Sequence, residues 1–387
     1  MTELEENLFY EFWNKLNGAT DKGFGEIAPV DYDADFIEAL RHNNGVFSAF
    51  KVHRMQNDMA AGLLDENGEL KSFEQWLNDV LPIADHQNRV WFQTEYDTAV
   101  KRAHQAAEWR QFENEADDAP PNLEWIQTTS VHPAEEHAAF WSIPVILPMD
   151  DPFWDRHRPC DRWGCKCQLR ATDKPATPAN RIPDGGNRDK PSPGLDVNPA
   201  KGGQIFSDSH PYNPPSCAAC TLPGKKVLLN RPTGRLASFF NAGAKGKKDC
   251  YNCSRPVQLM NEARKKTEGA KATRQWAKEN IQGTTVKHFI FEKEIQISGG
   301  GIREFTNQPH KHFFEKNDLL KDLQGLFNSK TTIYRGITAW KGRKSHIFEI
   351  TLMGEKSYII ANEIKGQGVL LYGITESDKV LDEIIKP

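Results

Sequence analysis

The sequence predicts a multidomain protein. It has a mostly α-helical N-terminal part, a small segment built around paired cysteines, and an α+β C-terminal part with a helix packed on a four-stranded antiparallel sheet. Three observations carry this prediction. Apolar residues recur at helical spacing over roughly the first 115 residues. Two C-x2-C pairs, Cys217/Cys220 and Cys250/Cys253, sit in a basic, loop-rich stretch. Near the C-terminus, short segments of alternating polarity are separated by tight glycine turns, the pattern of antiparallel strands.

In the first part, Phe9, Phe12, Trp13 and Leu16 share one helix face, and Phe36, Ile37 and Leu40 then Phe47, Phe50 and Val52 continue the pattern. Trp91, Phe92, Tyr96, Val100, His104, Ala107 and Trp109 mark a long amphipathic helix ending near Glu115. Eight of the ten tryptophans precede residue 165, so the aromatic core is expected there. Residues 143–147 read as a short buried strand.

The next stretch, 150–167, is DDPFWDRHRPCDRWGCKC and fits neither period; Pro152 and Pro159 break any continuous helix. Its Cys160, Cys165 and Cys167, with His137 or His157, can form a three-cysteine, one-histidine tetrahedral site. The alternative is reduced thiols in an aromatic-walled turn. Residues 172–216 are rich in Pro, Gly, Asn and Asp and read as an arm or linker.

Cys217, Cys220, Cys250 and Cys253 follow with zinc-ribbon-like spacing: each pair offers two thiolates to one tetrahedral zinc, a structural ion for a segment of 217–257 too small to build its own core. A redox role fits less well without a βαβ context. Basic residues cluster between Lys225 and Lys248 and again from Arg264 to Arg274 on a helical connector of 258–284, where nucleic-acid phosphate is the natural counter-charge.

The last part, 285–387, opens with a strand-like run. Pro309 suits the first turn of a helix whose apolar face is Phe313, Leu319, Leu320, Leu323, Leu326 and Phe327. Strands are expected at 346–353, 357–364 and 369–374, with a fourth at 331–337.

Composition bounds the function. The net charge of −4 hides an asymmetry: residues 1–150 carry 28 acidic and 10 basic side chains, and the remainder 25 and 39 of the totals of 53 and 49. Two halves of opposite sign suggest different partners. No apolar run is long enough to span a bilayer, so no membrane role is expected. The acidic start MTELEENLFYEFW lacks a signal-peptide pattern, which predicts cytoplasmic synthesis and thiols rather than disulfides.

Two resemblances sharpen this. DDPFW, a proline and WGCKC resemble the Mu gpF-like minor head proteins of tailed phages, over about 36–171 within a head domain of 1–171, with His132 and His137 both matching the family's upstream histidine. The resemblance implies a place inside the capsid, in the virion, with portal and head proteins as partners. It also suggests that the GLDVNPAKGG…HPYN arm wraps on the head domain. GIREFTNQPHKHFFEKNDLL followed by SHIFEI, KSYII and VLLYGIT resembles the phage-associated Barnase–EndoU–Colicin–RelE-like (BECR) nuclease domains. That resemblance implies a metal-independent RNase effector delivered to the recipient cell, with an immunity protein as a partner.

Metal-free RNA cleavage needs a base, an acid and a cation for the phosphorane. The expected catalytic set is His312 and His346 as acid and base, and Arg303 and Lys316 on phosphate. His310, Tyr358 and Thr375 lie nearby. His312 and Lys316, four apart, would share a helix face. The other reading is a non-enzymatic head-morphogenesis or DNA-packaging protein whose ribbon and basic segment bind nucleic acid.

Overall fold

The computed structural model describes residues 4–115, 121–129, 137–183, 190–216, 219–222, 250, 253–340, 343–382 and 384–385, leaving aside the side chains at 115, 156 and 340. The chain divides into two compact units, Met1–Met260 and Asn261–Pro387.

The first unit is led by helices α1 (Glu6–Gly25), α2 (Ala34–Ala61), α3 (Phe73–Asp85) and α4 (Trp91–Glu115). Glu5 caps α1 by accepting from the N–H groups of Asn7 and Leu8, and the face of Phe9, Phe12, Trp13, Leu16 and Phe24 is buried. Gly23 lets α1 approach α4 closely: a Cβ there would lie 2.0 Å from the Val100 carbonyl oxygen. Ser72 and Gln75 form a capping box on α3, and the ladder loosens into a π turn at His86–Val90 before α4. Strand β1 (Asn122–Ile126) pairs antiparallel with both β2 (Ile146–Pro148) and β3 (Gln168–Thr172). Short helices α5 (Ala138–Ser142) and α6 (Phe153–Arg156) flank this small sheet.

The proline-rich segment after β3 packs on the helices and is no free linker. Among its described residues are a 3₁₀ turn (Ala179–Arg181) and a short α-helix, α7 (Pro199–Gly202). The Phe206 ring stacks 4.0 Å from Phe47, while Asn43 both donates to and accepts from the Phe206 backbone at 2.8 Å. Tyr212 donates to Glu95, which also holds the buried ammonium of Lys51. At the centre is Arg102 on α4, fully buried. Its guanidinium donates to the carbonyls of Ile205 (2.7 Å), Cys160 (2.9 Å), Leu195 (3.2 Å) and Val197 (2.6 Å). Burial without a carboxylate partner lowers its pKa to about 9.

Helix α8 (Ser254–Asn280) runs through the division between the units. The second unit then holds β4 (Thr285–Val286), β5 (Ile295–Gln296), α9 (Gly299–Asn307), α10 (Phe313–Asp318), α11 (Leu323–Asn328), β6 (Ile333–Trp340), β7 (Arg343–Leu352), β8 (Glu355–Ile364) and β9 (Gly368–Thr375). The sheet is six-stranded and mixed, in the order β4-β5-β9-β8-β7-β6, and not the four-stranded antiparallel sheet expected. The meander β6–β9 is antiparallel throughout, and β5 joins β9 in parallel. Phe348, Ile350, Ile359 and Ala361 face the helices and share a core with Ala277, Ile302, Phe305 and Phe327.

The expected helix after Pro309 is also corrected. Ser298 caps an earlier helix, α9, which ends before Pro309; α10, a 3₁₀ turn and α11 follow as short pieces. The glycine run Gly299–Gly301 forms the first turn of α9. A Cβ on Gly301 would meet the Leu371 carbonyl oxygen at 2.1 Å, so packing on β9 explains that glycine.

Candidate functional site

In the first unit, one group of three donor side chains stands out among the described residues: His137, Cys165 and Cys167, all buried, with ligand atoms within 4.8 Å of one another. The residue before α5 supplies the imidazole; the tight loop leading into β3 supplies the thiols. His137 Nδ1 lies 3.4 Å from Cys165 Sγ and 3.8 Å from Cys167 Sγ. Its Nε2 lies 2.8 Å from the buried carboxylate of Asp161. The backbone N–H groups of Cys160 and Cys167 both donate to Cys165 Sγ at 3.4 Å. Trp125 meets the His137 ring edge to face at 5.1 Å and packs against Phe140 and Trp154.

The electrostatics single out one sulfur. Hydrogen bonds from Cys160 and Cys167, and then His137, drive the Cys165 pKa strongly down. Next to that thiolate, the Cys160 and Cys167 pKa values rise, because adjacent sulfurs resist ionising together. Burial alone would lower the His137 pKa, but Asp161 and Cys165 push it up to about 9. This arrangement of one imidazole and two sulfurs can hold a metal such as zinc.

Cys160 is buried beside the group but is not one of the three, and His157 is outside it. His132 lies outside the described residues, as does Cys217 of the expected ribbon. Of the other ribbon cysteines, Cys250 is buried, and Cys220 and Cys253 are half-buried. The basic residues from Lys225 to Lys248 also lie outside the described part.

In the second unit, the expected catalytic set does not form one site. Lys316 is fully buried and caps α9, donating to the carbonyls of Phe305 (2.6 Å) and Gln308 (2.8 Å); burial lowers its pKa to about 7. Its ammonium faces backbone carbonyls rather than solvent. His346 is buried on β7, its Nδ1 2.9 Å from the Tyr334 hydroxyl and its Nε2 3.1 Å from Glu363. His346 pairs with Ala361, whereas His312 reaches Glu355; six residues of β8 separate these positions, about 20 Å at ~3.3 Å per residue. The two histidines therefore cannot act as one acid–base pair. Tyr358 is buried on the other sheet face with Ile347, Ile360 and Val380. Thr375, its cross-strand neighbour, accepts from the Ser377 N–H. Arg303 is exposed on α9.

What does come together lies at one end of β8. His310 is buried; its Nδ1 accepts from the His312 N–H at 3.0 Å, which leaves Nε2–H to donate to Ser357 at 3.1 Å. His312 Nε2 lies 3.3 Å from Glu355, whose other oxygen takes the Lys311 ammonium at 2.5 Å. Glu376 accepts from the Lys311 N–H at 3.1 Å and lies 4.0 Å from His310 Nδ1. His312, Lys311, Glu355 and Glu376 all retain solvent exposure. The sequence pattern missed Lys311, which lies in the turn before α10, and Glu355 and Glu376, which come from separate strand ends; it missed Asp161 too, although that residue adjoins Cys160.

With this geometry in place, the comparison with known families has a location. Residues 264–362 match the family model of large polyvalent protein-associated domain 3. Over those residues the second unit is similar to a large polyvalent protein-associated domain. No curated protein and no solved structure matches the chain. Among the described residues, no helix is long and apolar enough to cross a membrane.

Proposed function

We propose that the chain is a phage minor head protein of the Mu gpF-like kind, carried in the capsid, whose C-terminal unit is a BECR-like, metal-independent RNase effector. The observation that carries the enzymatic part is the exposed cluster of His312, Glu355, Glu376 and Lys311 at one end of β8. A carboxylate beside an imidazole supplies a base for the 2′-hydroxyl and an acid for the leaving 5′-oxygen, and Lys311 supplies charge for the phosphorane. His310 holds the His312 backbone, which makes it a positioning residue. The polyvalent-protein-associated match to 264–362 supports the phage-borne part of this reading. The acidic first half suits head and portal partners, and the basic second half suits nucleic acid.

A second reading has its own support. His310, His346 and Lys316 are buried and internally hydrogen-bonded, as expected of a folded scaffold without chemistry. In that reading the chain is a non-enzymatic head-morphogenesis or packaging protein whose ribbon and basic segment bind nucleic acid.

Expression of the full chain in bacteria separates the two. The wild type should arrest growth and fragment RNA, and His312→Ala with Glu355→Gln should relieve both while leaving the fold intact. Normal growth and intact RNA with abundant folded wild type would sink the enzymatic reading. The full chain is needed because Trp276 and Ala277 of α8 pack into the second unit's core.

A further inference from the structure

We propose that His137 Nδ1, Cys165 and Cys167 bind one zinc ion. The ion holds the 157–167 loop in the shape on which the 190–216 arm docks.

The donor geometry suits zinc. With Zn–S of about 2.3 Å and Zn–N of about 2.0 Å, a tetrahedral site has an S···N edge of roughly 3.5 Å. The two observed edges are 3.4 and 3.8 Å. Imidazole and thiolate together favour zinc over hard cations, which seek oxygen ligands. The choice of ring nitrogen is fixed by its neighbour. Asp161, 1% exposed, accepts from His137 Nε2–H at 2.8 Å, leaving Nδ1 free to face the sulfurs. A carboxylate behind a ligating histidine is the usual outer support of a metal site. Backbone N–H groups aimed at Cys165 Sγ suit a metal-bound thiolate there.

The same loop carries the arm. The Asp161 carbonyl accepts from the Ser192 N–H at 2.8 Å, Arg158 donates to the Leu195 carbonyl at 2.7 Å, and the Cys160 carbonyl shares Arg102 with Leu195 and Val197. Two of these three loop residues, Cys160 and Asp161, also touch the donor group. Loss of the ion therefore removes the constraint on the surface that the arm reads.

The test is zinc stoichiometry on the full chain, purified without chelator. Cys165→Ser with Cys167→Ser should lower bound zinc by one equivalent per chain, whatever the ribbon cysteines hold. Asp161→Asn keeps every ligand and should weaken zinc against a competing chelator by about 10–100-fold. It guards against a cysteine variant that fails to fold. Cobalt added to stripped wild type should give thiolate charge-transfer absorption that falls in Cys165→Ser with Cys167→Ser. Chelation should open protease cleavage within 190–216. Equal zinc in the wild type and the double serine variant would overturn the proposal, as would unchanged chelator competition in Asp161→Asn. An arm equally resistant to protease with and without chelator would overturn the link to docking.

Discussion

Arg102 in the first unit and Lys316 in the second are both fully buried cations that donate to backbone carbonyls without a carboxylate partner. Their reach differs. Arg102 joins carbonyls 58 to 103 residues away, whereas Lys316 joins carbonyls 8 and 11 residues away. The guanidinium fork is the tie between α4, the cysteine loop and the arm, so it stabilises tertiary structure that no local propensity supports. The ammonium closes the end of one helix, a local task. Buried charge is thus used for long-range assembly in one unit and for capping in the other, and the two should fail differently.

The largest effect should come from Arg102→Met, which leaves the carbonyls of Ile205, Cys160 and Val197 without donors, while Leu195 keeps Arg158. It should destabilise the first unit by about 4 kcal/mol, since an orphaned buried group costs ~1–3 kcal/mol and the loss is shared. Thermal unfolding monitored by tryptophan fluorescence, together with proteolysis of 190–216, reads this out; an unchanged melting temperature would remove Arg102 from its central role. Gly301→Ala comes next. A Cβ 2.1 Å from the Leu371 carbonyl oxygen must push α9 off β9, at about 2–3 kcal/mol for the second unit alone.

A histidine pair sharpens the comparison further. His346→Ala strips Tyr334 and Glu363 of their buried partner and should lower stability by about 1–2 kcal/mol. His312→Ala, at a partly exposed position, should change stability by less than about 0.5 kcal/mol. Equal effects in urea titrations would contradict the separation of a structural from a surface histidine. The remaining test is a pH slope. Burial pushes the Lys316 pKa down to about 7, below its ordinary 10.5, so between those values the unfolded chain binds the extra proton. Stability of the second unit should therefore rise as pH climbs from about 7 towards 10.5. Lys316→Met should flatten that slope in thermal scans at pH 7, 8 and 9.

The long helices and the meander were legible because period and turn chemistry are written locally. Phe9 to Leu16 and Trp91 to Trp109 lie on helices, and Gly354 and Gly366 turn the strands with positive φ. Strands β4 and β5 were not separable from the run around them, since two residues each display no alternation. The His312–Lys316 face failed because helix spacing was applied across a start that falls one residue later: His312 is the residue before α10, and Lys316 turns inward to the end of α9. The Cys165–Cys167 pair was visible as chemistry. Asp161 was not, because its partner His137 is 24 residues distant and no short-range pattern couples them. Arg102 was invisible for the same reason, as backbone carbonyls have no residue type to read.

Strand β9 sits between β5 and β8, yet it comes last of the six in the chain. The sheet is therefore complete only once residues up to Thr375 have been made. A polypeptide ending near residue 362 would leave β5 and β8 as two bare facing edges with Ile295 and Ile359 uncovered. Such edges recruit strands from other molecules. During synthesis the same interval is the time when this unit is most open to aggregation, and it closes with the arrival of a single eight-residue strand.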